Sequence, residues 1–247
     1  MSTYDLIQTL LISVLLVYAA YYVYSSFFSR SNEPTIWRHA IRKGDVSKAL
    51  IKLERSYKDK DRFLNFWYQV NRLRKENIDG AFAELGVYKG DSAQVLNEMD
   101  DSREFHLFDT FEGFNQNDLD IETGKAATYN TYDFADTSYE RVKQKLASDN
   151  FKFHVGHFPG TTKNMEEIKY ALVNMDADLY NPTLAGLNFF YPRLTHGGVI
   201  IIHDYKPEWP GIMKAVNEYA SKISVPIVPL TDLDCSVMLF KEKIISS

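Results

Sequence analysis

The sequence predicts an α/β protein, a mostly parallel sheet with helices on both faces, joined to one N-terminal membrane helix. Three observations predict it. From Leu6 to Phe28 no side chain is charged, and roughly 20 such residues cross the hydrocarbon core of a bilayer as a helix. From Ala81 onward, short apolar runs alternate with stretches of helical periodicity, the pattern of strands linked by helical crossovers. The chain has 247 residues, and removing that N-terminus leaves roughly 215, enough for one α/β domain with a full core.

The N-terminal segment reads as a retained anchor. Tyr18, Tyr21, Tyr22 and Tyr24 crowd its C-terminal half, where aromatic rings sit at headgroup level. A cleaved signal peptide wants a basic leader and a shorter apolar stretch, whereas only Asp5 precedes a long one here. Arg30, Arg38, Arg42, Lys43 and Lys48 follow it, with no Lys or Arg before it. The positive-inside rule therefore expects a single-pass protein with its large C-terminal domain in the cytoplasm. Cys235 is the single cysteine, which rules out an intrachain disulfide and a cysteine zinc cage. A net charge of -5 argues against nucleic acid as a partner, since such affinity rests on a basic surface.

Residues 29–34 (SRSNEP) read as a linker. Helices are expected over about 35–56 and 61–76, the second with Phe63, Phe66, Trp67, Val70 and Leu73 on one face. Asp79-Gly80 ends that pattern. Strands are then expected at 81–85, 105–109, 151–156, 170–176, 197–204, 226–230 and 236–241, with helices at about 92–99, 182–191 and 210–222. Thr137-x-x-Glu140 resembles a capping box opening a helix through Leu146. The polar stretch from Asn115 to Asp136 reads as a lid or disordered loop. The expected organisation is an anchor over 1–30, a linker and helices over 31–77, and the α/β domain over 78–247.

Chemistry concentrates at strand ends, where open α/β sheets bind their ligands. Glu84-Leu85-Gly86-Val87-Tyr88-Lys89-Gly90-Asp91-Ser92 joins the first strand to its helix. Gly86 permits a sharp turn, and the helix N-terminus offers free N–H groups. Asp109 ends the next strand, where such folds place an acid on ribose hydroxyls. Nicotinamide-cofactor enzymes share that spacing but favour G-x-G-x-x-G, and Tyr88 fills the second glycine position. A plain structural turn with a surface acid is the bland alternative. The second cluster is Asp176-Ala177-Asp178 with His203-Asp204, oxygen donors and an imidazole suited to Mg²⁺ or Mn²⁺. Its bland alternative is helix capping, with Asp178 ahead of the Pro182 helix.

ELGVYKGDSA, LFDTFEGF, VGHFPGTT, NMDADLYNPTLAGL and GGVIIIHDYKPEWPGIMKAV occur in this order, and together they resemble the macrocin O-methyltransferase family over about residues 78–220. The resemblance implies a Rossmann-like class I methyltransferase fold: a seven-stranded, mostly parallel sheet whose last strand, SVMLFK, is antiparallel. It implies S-adenosylmethionine and a divalent metal as cofactors and a sugar hydroxyl as acceptor; with the anchor, the expected partner is a small-molecule or lipid-linked glycoside at the membrane face. By position it places Glu84 and Gly86 beside the cofactor's methionine portion, with Tyr88, Gly90 and Ser92 of the same loop as further cofactor-binding residues. Asp109 falls on the ribose, and Gly156, His157 and Phe158 near the adenine. Asp176 and Asp204 match metal ligands and Asp178 the general base. His203 departs from the family, where an acid commonly precedes the second ligand Asp, though a neutral imidazole also ligates metals. Two further functions compete: a nucleotide-cofactor oxidoreductase, and a membrane-tethered scaffold without catalysis.

Overall fold

The computed structural model describes residues 2–27 and 33–242, with only the backbone of Ser26 and Phe27. Residues 29–32 of the expected 29–34 linker, Arg30 among them, lie outside the described residues. The chain forms two compact units that part between Ile51 and Lys52.

In the first unit, α1 (Thr3–Phe27) is long and apolar enough to cross a membrane, with none of its apolar window buried. Its hydroxyls do not compete with the helix: Thr9 and Ser13 donate to the carbonyls of Asp5 and Thr9. The stretch expected as one helix over 35–56 is two, α2 (Thr35–Lys43) in this unit and α3 (Lys48–Ser56), within which the first unit ends. Gly44 separates them in the left-handed region at φ 79°, and its N–H and that of Asp45 close the α2 C-terminus.

In the second unit, α4 (Lys60–Lys75) starts at Asp59, whose Oδ1 accepts from the Arg62 N–H. The sheet strands are β1 (Ala81–Leu85), β2 (Phe105–Asp109), β3 (Phe151–Val155), β4 (Tyr170–Met175), β5 (Leu194–Ile202), β6 (Val228–Pro229) and β7 (Val237–Phe240). Their order is β3-β2-β1-β4-β5-β7-β6. The five strands from β3 to β5 are parallel, and β7 runs antiparallel to both its neighbours. The expected seven-stranded sheet with an antiparallel SVMLFK is therefore present.

Alternation along each strand sends successive side chains to opposite faces. Ala83, Leu85, Val173, Met175, Ile200 and Ile202 join α8 (Tyr180–Arg193) and α9 (Pro210–Ile223) in one core. Glu84, Asn174 and Ile201 face the other way, where α5 (Asp91–Met99) and α4 pack together. The chain leaves β1 toward β2 and β3, then returns to β4 on its other side. That reversal opens a crevice at the carboxyl ends of β1 and β4, the usual ligand position.

Two local expectations shift. The cap of α7 (Tyr139–Leu146) is Ser138, which accepts from the Arg141 N–H, while Thr137 donates to the Tyr88 carbonyl instead. The 115–136 stretch is built, not structureless. It contains α6 (Gln116–Leu119) and a 3₁₀ turn at Ala126–Thr128. Side chains hidden in its polar composition tie it down: Asp118 accepts from Asn181 at 2.9 Å, and Glu122 from the Tyr180 N–H at 2.5 Å.

Candidate active site

The β1–α5 turn is set by its own glycines and by Asp109. Gly86 sits at φ 85°, and a Cβ there would lie 1.9 Å from the Asp176 carbonyl oxygen. Glycine is thus required for close approach to the end of β4, rather than for the turn alone. Asp109, ending β2, accepts from the Val87 and Tyr88 N–H groups at 2.6 and 2.8 Å, and from Phe111 N–H at 2.6 Å. Gly90 caps α5 in the left-handed region, and Tyr88 donates from its hydroxyl to Asp136 at 2.6 Å.

Glu84 lies beneath this loop, fully buried. Its Oε1 accepts from Ser92 Oγ at 2.5 Å and from Asn174 Nδ2 at 2.7 Å, while Oε2 has no partner. Burial pushes its carboxyl up to about 8, against the two hydrogen bonds that lower it. An orphaned buried carboxylate oxygen at the base of this turn fits the polar end of a cofactor.

The second half of the site comes from the ends of β4 and β5. Asp178 and Asp204 both adopt φ 58°, strained for non-glycine residues and typical of functional positions. The turn at 176–178 brings Asp176, Asp178 and Asp204 together, one oxygen from each lying within 4.8 Å of the others. Asp178 does not cap α8, whose N-cap residue is Leu179 without a side-chain bond. Burial raises all three carboxyls: Asp176 to about 6 against the pull of Arg62, Asp178 well above the usual range with the repulsion of Asp176 and Asp204 added, and Asp204 upward against the pull of Lys206. Three converging hard oxygen donors fit a divalent cation such as Mg²⁺ or Mn²⁺.

His203 does not join them. Its Nδ1 lies 2.6 Å from Ser236 Oγ and its Nε2 2.6 Å from Asn174 Oδ1, so both ring nitrogens are spent. The reason is alternation: His203 continues the β4–β5 ladder through its N–H to the Met175 carbonyl and keeps the face of Ile201, and the chain turns only at Asp204, φ 58°. His203 completes a buried chain, Ser236–His203–Asn174–Glu84–Ser92, on the α4–α5 face. Burial, then Arg62, hold its imidazole well below the ordinary pKa, hence neutral.

Both halves face one cavity of about 730 Å³, lined by Gly86, Tyr88, Ser92, Asp109, Gly156, His157, Phe158 and the three acids, among others. Its size is that of a small-molecule site. Glu84 and Gly90 support it from behind the lining. His157 is anchored at Nε2 by Asp118, 2.6 Å away. Of the two tyrosines in the 115–136 stretch, Tyr132 is 84% exposed. Tyr129 lines the cavity and stacks on Phe114 at 5.4 Å. Burial, then Asp178 and Asp204, raise its phenol above the ordinary range.

Sequence reading missed three charged residues here. Arg62, on α4, bonds Asp176 at 3.3 Å and also pairs with Asp234. Lys206 bonds Asp204 at 2.9 Å and Asp234 at 3.2 Å. Arg62 and Asp234 are distant in sequence and carry no local signal, whereas Lys206 stands two residues from a singled-out acid.

A family model described as Macrocin-O-methyltransferase (TylF) matches residues 43–242. The 8-demethyl-8-(2,3-dimethoxy-alpha-L-rhamnosyl)-tetracenomycin-C 4'-O-methyltransferase of Streptomyces olivaceus is 24% identical over 184 residues, 69% of each chain. Mycinamicin III 3''-O-methyltransferase of Micromonospora griseorubida is 28% identical over 176 residues, 65% of this chain and 68% of that one. Among solved structures, the O-methyltransferase NovP superposes with a TM-score of 0.65 at 24% identity, over 74% of this chain and 81% of its own. CalS11, a calicheamicin methyltransferase, gives 0.61 at 20% identity, over 87% and 89%. These two share the fold. The chain belongs to the macrocin-O-methyltransferase family and is an S-adenosylmethionine-dependent O-methyltransferase, not an oxidoreductase or an inert scaffold.

Proposed function

We propose that this chain methylates a hydroxyl of a sugar or glycoside, small-molecule or lipid-linked, at a membrane surface. In this reading Asp176 and Asp204 hold a divalent cation, Mg²⁺ or Mn²⁺, and Asp178 is the general base. One observation supports it above the rest: three carboxylates from two strand ends converge on the cavity that the Glu84–Ser92 loop also lines. The relatives point the same way, one being named for a rhamnosyl-tetracenomycin and one for mycinamicin III.

S-adenosylmethionine supplies an electrophilic methyl group, and a divalent cation supplies positive charge against the alkoxide that forms as the acceptor loses its proton. The rest falls to the chain. A sugar hydroxyl is a poor nucleophile at neutral pH, so its proton needs a positioned acceptor. Among the described residues no side-chain cation pairs with Asp178, whereas Asp176 and Asp204 are gripped by Arg62 and Lys206. Asp178 is therefore the most basic carboxylate of the three and takes the proton at its carboxylate oxygen. The Glu84–Ser92 turn, held by Asp109, orients the methyl donor. Phe114, Tyr129 and Trp209 give the cavity an aromatic wall on the acid side, a surface on which the apolar face of a sugar packs. Fixing both reactants in one cavity makes the encounter an oriented step.

Domain organisation follows the same reading: an anchor over 1–30, connecting helices over 31–77 and the catalytic domain over 78–247, on the cytoplasmic side. Asp178→Asn tests the base. It should lower turnover by about 10²–10⁴-fold, the range for removal of a general base, and leave calorimetric binding of S-adenosylhomocysteine intact. Turnover within a few-fold of wild type, at unchanged cofactor affinity, removes Asp178 from the role.

A further inference from the structure

Asp234 lies on the loop between β6 and β7, far in sequence from the acids Asp176, Asp178 and Asp204. Asp59 ties that loop to the start of α4, accepting from the Arg62 N–H through Oδ1 at 3.0 Å and from the Leu233 N–H through Oδ2 at 2.8 Å. So placed, Asp234 receives both cations of the site: Arg62 on one oxygen and Lys206 on the other, the latter at 3.2 Å. Each cation also holds one acid of the trio, Arg62 with Asp176 at 3.3 Å and Lys206 with Asp204 at 2.9 Å. The ion pairs run Asp176–Arg62–Asp234–Lys206–Asp204, an arc whose two ends are the proposed metal ligands and which leaves out Asp178.

We infer that Asp234 is a positioning residue that sets divalent-cation affinity, by drawing Arg62 and Lys206 partly away from Asp176 and Asp204. This rests on the proposed metal reading. The electrostatic logic fixes the signs. Four carboxylates against two side-chain cations leave the cluster with an excess of two negative charges, which one divalent cation neutralises. Taking away Asp234 removes one of those charges and frees both cations to close on the ligand carboxylates, so both effects weaken metal binding. Taking away Lys206 frees Asp204 and removes a repelling charge, so metal binding tightens. A merely structural role gives no such opposition, since damage to either residue loosens the site in the same direction. Both side chains are partly exposed, 17% for Lys206 and 38% for Asp234, which keeps the effects at the scale of solvent-screened pairs.

The test is Mn²⁺ titration of the full-length chain in detergent, saturated with S-adenosylhomocysteine, with free Mn²⁺ read by electron paramagnetic resonance. S-adenosylhomocysteine binding by each variant certifies its fold. Asp234→Asn should weaken Mn²⁺ binding about tenfold and Lys206→Gln tighten it about threefold, the scale of one charge interaction at a partly exposed site. In the Lys206→Gln background the effect of Asp234→Asn should shrink, because the shared partner is gone. Asp234→Glu, which keeps the carboxylate, should stay near wild type. If Asp234→Asn leaves affinity unchanged, or both variants weaken it alike, the inference about Asp234 is overturned and the metal reading stands. A wild-type chain that methylates a glycoside yet binds no Mn²⁺ overturns the metal reading and the inference together.

Discussion

At the residue scale the site is built on carboxyl groups held where they resist ionisation, and Glu84 shows the consequence for stability. Its carboxyl is pushed up to about 8 from an ordinary value near 4.5 by complete burial. The native state therefore keeps a proton that the unfolded chain releases above about pH 4.5. Stability from this group is fully present below that pH and is lost as pH rises through about 8. Glu84→Gln removes the titration while keeping an oxygen for Ser92 and Asn174. Thermal unfolding followed from pH 5 to 9 should show wild type losing more than about 3 °C relative to the variant. Parallel profiles would show that Glu84 ionises normally. His154 has the opposite sign. Burial, then His106, lower its imidazole to about 4, so its contribution is complete above the ordinary histidine pKa and lost as pH falls through about 4. Unfolding of His154→Gln should accordingly be less acid-sensitive than wild type between pH 6 and 4, and equal sensitivity would place the acid transition elsewhere.

The strand-end turns carry the function at the scale of elements. The β1–α5 turn and the end of β4 meet so closely that Gly86 admits no side chain. Gly86→Ala should destabilise the domain by about 2–4 kcal/mol, combining left-handed strain with displacement of the Asp176 peptide. Gly160→Ala, where an added Cβ meets nothing within 4 Å, should change stability by less than about 0.5 kcal/mol. Denaturant melts of the pair decide it, and equal midpoints would mean the turn yields freely. The 115–136 stretch teaches a related lesson. Its polar composition read as lid or disorder, yet Asp118 and Glu122 hold it to the start of α8, so its acids serve as attachments that composition alone does not reveal.

For the whole molecule the question is what α1 does to a methyltransferase. Its apolar window spans Thr3–Ser25 with a mean hydropathy of 2.0 and none of it buried. A retained anchor brings the acceptor search to a membrane face. Membranes from expressing cells washed with alkaline carbonate should keep the full-length chain in the pellet, with its original N-terminus on Edman degradation. Release into the supernatant, or a new N-terminus after the apolar stretch, would show a signal sequence instead.

The order of the seven strands, the strand-end motifs and the apolar N-terminal helix were legible in the sequence, because each is a local pattern of period, turn residue or hydropathy, whereas the break between α2 and α3 and the short α6 were not. The acids Asp176, Asp178 and Asp204 were legible as well, since open sheets gather ligands at strand ends. Their partners were not. Arg62 reads as an exposed helix residue beside Lys60 and Asp61, and only the packing of α4 brings its guanidinium to Asp176 and Asp234. His203 reads as a ligand beside Asp204, yet alternation along β5 turns it to the far face, where Ser236 and Asn174 take both nitrogens. Period and propensity act between neighbours in the chain and so can be read along it. Which charges face one another across a cavity depends on how separate elements pack, and that the tertiary structure alone decides.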